Sequence, residues 1–156
     1  MITNLRFRLA RKRDSSWIAR LSRDFIEHDL QWRYNEPQIL RAIASPEINA
    51  VVAADAQTPL GFGIMEYGQH TAHLVLLGVL PEHQGQGLGK ALVHWLQKPA
   101  IVAGVQRVRV EVRADNPGGI AFYRRLGYQE HERIGGYYDG WIDALRLERT
   151  LRATEA

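Results

Sequence analysis

The chain is 156 residues long, 46% hydrophobic and 24% charged, with a net charge of +3 and an isoelectric point near 9.4. That length is most simply one domain, residues 1–156, with enough chain to bury a proper core. The absence of cysteine excludes a disulfide framework and a thiolate-held metal, and it favours a reducing compartment. The start, Met1-Ile2-Thr3-Asn4-Leu5-Arg6, carries no long apolar run, and no later segment approaches a membrane span. The expected setting is therefore cytoplasmic, with no membrane partner. The basic groups Arg6, Arg8, Arg11, Lys12, Arg13 and Arg124, Arg125, Arg133 read as solvated faces. They lack the interleaved aromatics of a nucleic-acid surface, so no nucleic-acid partner is expected. A weak positive field does help to recruit a small polyanion.

Arg6 to Ala10 predicts a strand. Asp14 then caps a helix that carries Ile18, Leu21 and Phe25 on one stripe. Pro37 opens a second short helix over Ile39, Leu40 and Ile43, which stops before Pro46. Ala50 to Ala54 and Leu60 to Tyr67 form a hairpin about Asp55-Ala56-Gln57-Thr58-Pro59. His73 to Leu80 is apolar at nearly every position, as in a strand covered on both faces. The next helix places Leu88, Ala91, Leu92, Trp95 and Leu96 inward and Lys90, His94, Gln97 and Lys98 outward, until Pro99 kinks or ends it and Gly104 closes the segment. Val108, Val110 and Val112 alternate with Arg107, Arg109, Glu111 and Arg113, a strand with one charged face. Asn116 caps a helix that has Pro117 first and ends at Gly127. Tyr128 to Ile134 and Ile142 to Leu151 are the last strands, about a turn from Gly135 to Gly140. This order fits an α/β (α+β) domain with a mixed sheet.

Between the His73 to Leu80 strand and the helix that follows it, one loop stands out: Gln84-Gly85-Gln86-Gly87-Leu88-Gly89-Lys90. Glycine at every second position lets the backbone turn tightly and bring N–H groups to a ligand, and the following helix points its positive end at the same place. That is an anion site for a phosphorylated molecule. The spacing is wrong for a dinucleotide fingerprint, because Gly89 arrives one position early, and Ala91 has no hydroxyl for a Walker loop. On its own the loop fits a tight strand–helix connection as well. Beyond it, Glu111 and Tyr123 supply a carboxylate and a phenol, a base and an acid if a cofactor lies near. Equally, Glu111 fits a surface ion pair with Arg109 and Arg113, and Tyr123 a half-buried packing aromatic.

These residues together resemble the GNAT superfamily of N-acetyltransferases, and within it the ribosomal-protein-alanine, N-terminal-amine branch. Gln84, Gly87 and Gly89 satisfy the acetyl-CoA signature of that family, and Leu77-Gly78-Val79-Leu80-Pro81 matches its splayed strand. Glu111 to Asn116, Ala121-Phe122-Tyr123 and Leu126-Gly127-Tyr128 match its second half, and Tyr137-Tyr138 with Asp143-Ala144 resemble its terminal hairpin. The likeness covers residues 50 to 150 well and the first 45 in outline.

The resemblance implies a mixed, mostly antiparallel, twisted sheet flanked by helices, and transfer of acetyl from acetyl-CoA to a primary amine by direct attack. It implies that Leu77, Gly78 and Val79 bond the pantetheine arm, with an N–H near Val79 on the thioester oxygen. Gly85, Gln86, Gly87, Leu88, Gly89 and Lys90 would hold the pyrophosphate beside Gln84, and Asn116 the pantetheine or its own helix. Glu111 would take the amine proton or hold a water that does, and Tyr123 would protonate the leaving thiolate. Flanking arginines would make Glu111 a weak base. The acceptor would enter past Trp32, Tyr34, Tyr137, Tyr138 and Trp141, as a protein α-amine, a lysine or a small amine. A non-catalytic acyl-CoA-binding module is the reading from a different class, and a homodimer stays open. His28, His70, His73, His83, His94 and His131 make no metal-ligand set, so they read as structural or exposed and no metal is expected.

Overall fold

The computed structural model describes residues 2–152; Met1 and residues 153–156, the outer ends of the expected domain, lie outside the described residues. Seven strands form one sheet: β1 (Leu5–Leu9), β2 (Ile48–Asp55), β3 (Thr58–Tyr67), β4 (Thr71–Val79), β5 (Arg107–Arg113), β6 (Gln129–Tyr138) and β7 (Ile142–Thr150). Their order is β1-β2-β3-β4-β5-β7-β6, and only β4 and β5 run parallel. This is the mixed, mostly antiparallel sheet that the family resemblance implied. The parallel pair needs a crossover, which α3 (Leu88–Val102) supplies. The other helices are α1 (Ser15–Leu21), α2 (Glu36–Ala44) and α4 (Pro117–Arg125), and among the described residues no helix is long and apolar enough to cross a membrane.

Alternation along the strands feeds two cores. Val51, Met65, Leu74, Val108, Val110, Val112 and Leu147 pack with Leu92, Leu96 and Ala100 of α3 and with Ile120 and Tyr123 of α4. The opposite face buries Val52, Phe62, Ile64 and Leu76 under Ile18, Leu21 and Ile39 of α1 and α2. Within the first core, the Tyr128 hydroxyl donates to Gln97 Oε1 at 2.6 Å. Gln97 is thus buried, contrary to its expected place on the outer face of α3, because a long-range partner satisfies its amide.

Several local expectations give way to packing. Pro99 sits inside α3 and does not end it: Ala100 and Ile101 beyond it are buried against the sheet, which holds the helix through the missing N–H. Asp14 does not cap α1; its carboxylate takes two bonds from Arg8 and one from the Arg11 N–H. The helix turns into a π-helical turn at Ser22–Ile26, which throws Phe25 off the buried stripe and into solvent. Strand β6 runs on through Gly135 and Gly136 to Tyr138, leaving a turn of only three residues before β7. The β4 strand is buried on alternate positions and half-buried on the others, not covered on both faces.

That half-buried edge follows from a bulge. Met65 pairs with Leu74 but Ile64 pairs with Leu76, so Val75 is the extra residue, and β4 bends there. Leu74 packs in the first core and Leu76 in the second, as a bulge that reverses the alternation requires. Tight backbone contact with β3 keeps the bent segment in place. A Cβ on Gly61 would lie 2.9 Å from the Gly78 carbonyl oxygen and 3.2 Å from Val79 Cγ2. Gly61→Ala is expected to cost roughly 1–3 kcal/mol by overpacking against backbone that cannot swing away. Urea unfolding measures that cost, and unchanged stability would show that β4 yields.

Candidate active site

The site opens where β4 and β5 part. Their pairing runs from Thr71 with Arg107 to Leu74 with Val110 and then stops, at the bulge. Leu80 N–H donates to the Leu60 carbonyl at 2.9 Å, so by the antiparallel alternation the N–H groups of Val79 and Leu77 point away from β3, into the gap. Gln84 Nε2 donates to the Val79 carbonyl at 3.0 Å and ties the signature glutamine to that strand. The gap widens into a cleft of about 1230 Å3 that runs from Gly85, Gly87 and Lys90 to Glu111, Tyr137 and Asp139.

At the first end the loop has the geometry of an anion cradle. Gly85 and Gly87 have φ of +78° and +85°, and a Cβ on either would meet open space, so backbone conformation is what demands glycine there. Gly87 caps α3 with no side-chain bond, which leaves the first N–H groups of a 15-residue helix free for a ligand. Gly89 serves packing instead: its Cβ would lie 3.2 Å from the Phe122 ring. Leu88 is buried but borders the cleft, Gln86 does not line it, and Arg125, read from the sequence as part of a solvated face, borders the cleft as Lys90 does. Asn116 Oδ1 accepts the Gly119 N–H at 3.0 Å, so it caps α4 as expected while still bordering the cleft. Gly78 also borders it, and its small size serves the second core, since a Cβ would lie 2.4 Å from Leu21 Cδ2.

At the other end stands Glu111, with a side chain only 5% exposed. His73 Nε2 lies 2.7 Å from Oε1, and Arg146 Nε and Arg109 Nε lie 3.1 Å and 3.3 Å from Oε2. The Tyr137 hydroxyl donates to Oε1 at 3.3 Å. Burial on its own would raise the carboxyl, but the His73 bond, the His73 charge whenever that ring is protonated, the Arg146 bond and the Arg109 charge outweigh it and hold Glu111 at about 2. Arg113, expected beside Glu111, turns away: it pairs with Asp115 at 2.9 Å and donates to the His28 carbonyl at 2.7 Å. His73, read from sequence as structural or exposed, is instead a direct neighbour of the carboxylate. Its position in an apolar run hid it, and only the parallel register of β4 with β5 reveals the contact.

Tyr123 borders the same cleft from α4 and is 8% exposed. Its ring meets Phe122 and Tyr128 edge-on at 4.9 Å and 5.5 Å. Burial, then the neighbouring Tyr128 and Tyr138, push its phenol far up, so it stays protonated at any ordinary pH. Tyr34 and Tyr138 also line the cleft, and burial raises both. The roof over this end is the segment before α2. Glu27 accepts the Arg33 N–H at 2.7 Å, and Asp139 accepts the Gln31 N–H at 2.6 Å and Arg33 Nη2 at 2.9 Å.

Residues 12–128 match the model of the acetyltransferase (GNAT) family. This chain belongs to that family. It is 30% identical over 112 residues to an acetyltransferase of Yersinia pestis, covering 69% of this chain and 79% of the relative. The GNAT fold also superposes on Arabidopsis thaliana NAA60 in complex with acetyl-CoA, at a TM-score of 0.83 and 19% identity over 94% of this chain and 98% of the other. The ribosomal-protein-alanine N-acetyltransferase of Escherichia coli gives 0.79 and 25% over 94% of each chain. A spermidine N-acetyltransferase of Vibrio cholerae gives 0.75 and 20%, again over 94% of each. The protein is an N-acetyltransferase with acetyl-CoA as co-substrate.

Two outcomes follow. Gly87→Val forces a branched side chain into a left-handed backbone, so acetyl-CoA affinity by calorimetry should fall at least tenfold while the fold persists. Glu111 titrates near 4.5 when unfolded and at about 2 in the fold. Its stabilisation, on the order of 3 kcal/mol, is therefore present above about pH 5 and lost as pH falls towards 2. Urea midpoints measured across that window should fall less steeply for Glu111→Gln than for wild type.

Proposed function

We propose that the whole chain acts as one acetyltransferase domain whose acceptor is a polypeptide amine, an N-terminal α-amine or a lysine. The observation that carries this reading is the aromatic mouth around Glu111. Tyr34, Tyr137 and Tyr138 border the carboxylate end of the cleft; Trp32 and Trp141, 36% and 63% exposed, do not line it but lie in the chain segments next to Arg33 and Asp139, which do. Exposed aromatic surface of that extent suits a partner longer than the amine alone. A small-molecule amine is the second reading, favoured by the same three tyrosines about a carboxylate, which can cage a compact cation.

In this mechanism the Val79 N–H bonds the thioester oxygen and stabilises the charge that grows on it, an effect on the order of 3 kcal/mol. Glu111, ionised at neutral pH, attracts the ammonium and orients it for attack. Leu77 and Val79 hold the pantetheine arm by their free backbone groups, with Asn116 across the gap. Tyr123, kept protonated by burial, gives its proton to the sulfur as the carbon–sulfur bond breaks.

CoA release from acetyl-CoA, measured against free-N-terminus peptides, lysine peptides, polyamines and amino acids, tests the acceptor. Turnover confined to peptides is expected; turnover confined to polyamines or amino acids moves the assignment to a small amine. Binding of acetyl-CoA without release on any amine would point to a carrier-binding module. Tyr123→Phe should lower kcat about 10²-fold or more and leave acetyl-CoA affinity unchanged. Normal turnover in that variant removes Tyr123 from the chemistry.

A further inference from the structure

We infer that His73 is the side chain that takes the proton from the acceptor ammonium, and that Glu111 is the residue that positions it. The inference rests on direct attack by the amine, as proposed above, and adds the destination of the proton.

The geometry assigns the roles. A carboxylate offers only acceptor sites, so the 2.7 Å contact of Glu111 Oε1 with His73 Nε2 requires the proton on Nε2. Neutral His73 then carries its free lone pair on Nδ1, and no described residue bonds that atom. The His73 side chain is 27% exposed and borders the cleft, so an ammonium or one intervening water can reach it. Glu111 cannot fill this part itself. Both of its oxygens are engaged, one by His73 and Tyr137 and the other by Arg146 and Arg109, and its affinity for a proton is too low at neutral pH. The tyrosines at this end are held protonated. Of the other histidines bordering the cleft, His83 stands by the anion loop and His28 makes no contact with Glu111.

The groups facing His73 come from every neighbouring strand. Glu66 lies opposite it on β3 and Arg109 opposite it on β5, with Glu111 in contact and Arg146 and Tyr137 behind that carboxylate. On the turn packed against β4, Glu27 is occupied by Ser22 and by the Arg33 and Tyr34 N–H groups, and Arg23 and Asp24 pair with each other. Glu111 is thus the one carboxylate bonded to the imidazole, and it favours the imidazolium that proton transfer creates, as a buried carboxylate does in hydrolase triads.

The step balances. An ammonium proton passes to His73 Nδ1 and on to solvent, and the freed lone pair forms the carbon–nitrogen bond. As the tetrahedral adduct collapses, the carbon–sulfur bond breaks and the sulfur takes the Tyr123 proton. The second proton of the attacking nitrogen leaves with the amide's formation and restores Tyr123 through solvent.

Two measurements test this. In the first, 15N spectra of histidine-labelled protein should show the His73 imidazole protonated on Nε2 and bare on Nδ1, with its signals displaced in Glu111→Gln. The opposite tautomer, or signals indifferent to Glu111→Gln, overturns the inference without reference to any acceptor. In the second, the pH dependence of kcat/KM is compared for wild type, His73→Gln and His73→Asn, using whichever amine the release assay identifies. Wild type should hold a plateau below the amine's own ionisation. Both variants should bind acetyl-CoA normally, lose about 10²-fold at neutral pH, and rise tenfold per pH unit until the free amine predominates. A uniform loss at every pH, with the plateau kept, would mean that His73 only supports Glu111. A wild type that releases no CoA on any amine would instead sink the acceptor reading, leaving the spectra to judge His73.

Discussion

A parallel strand pair that ends after four residues governs this molecule. β4 and β5 share hydrogen bonds only from Thr71/Arg107 to Leu74/Val110, and the extra residue Val75 bends β4 away from its neighbour. Continued pairing would satisfy the N–H groups of Leu77 and Val79 within the sheet and close the cleft. Because it stops, the sheet carries backbone donors in its middle rather than at an edge, where a bound molecule can complete the ladder. The candidate site is arranged about that split: the glycine loop follows the end of β4, Glu111 sits just past the last β5 residue paired with β4, and Tyr123 of α4 borders the same cleft.

The second organising element is charge. A nearly buried carboxylate is costly unless it is bonded and balanced, and Glu111 has three cationic or hydrogen-bonding nitrogens around it from three strands. Arg146 spans from Glu111 to Glu132, at 2.5 Å, so the network continues outward to the β6 edge. Such a network fixes the carboxylate in place at the expense of its basicity. Of the groups bonded to Glu111, only the His73 imidazole has a ring nitrogen left over after the contact.

Local signals were legible in the sequence and distant ones were not. The glycine loop could be read because a left-handed backbone at Gly85 and Gly87 is a demand of single residues. The Asn116–Pro117 helix start, the valine alternation of β5 and the turn at Gly127 are likewise settled within a few positions. What failed depended on partners far along the chain. His73 meets Glu111 across 38 positions, and Gln97 meets Tyr128 across 31. Arg113 chose Asp115 and the His28 carbonyl over Glu111, and Arg146 was passed over because nothing near it in sequence marks it. Pro99 reads as a helix end by its own chemistry, yet the buried residues after it keep α3 intact. The bulge at Val75 has no glycine or proline to announce it.

The two faces of the sheet divide the candidate site between them. Val110 and Val112 of β5 and Leu74 of β4 face α3 and α4, on the side from which the glycine loop leads into α3. His73 and Glu111 alternate with them and therefore face the other way, towards the tyrosines and the pinned roof. The sheet is thus a partition with a single window, with the glycine loop and α3 on one side and the imidazole–carboxylate pair with its tyrosines on the other.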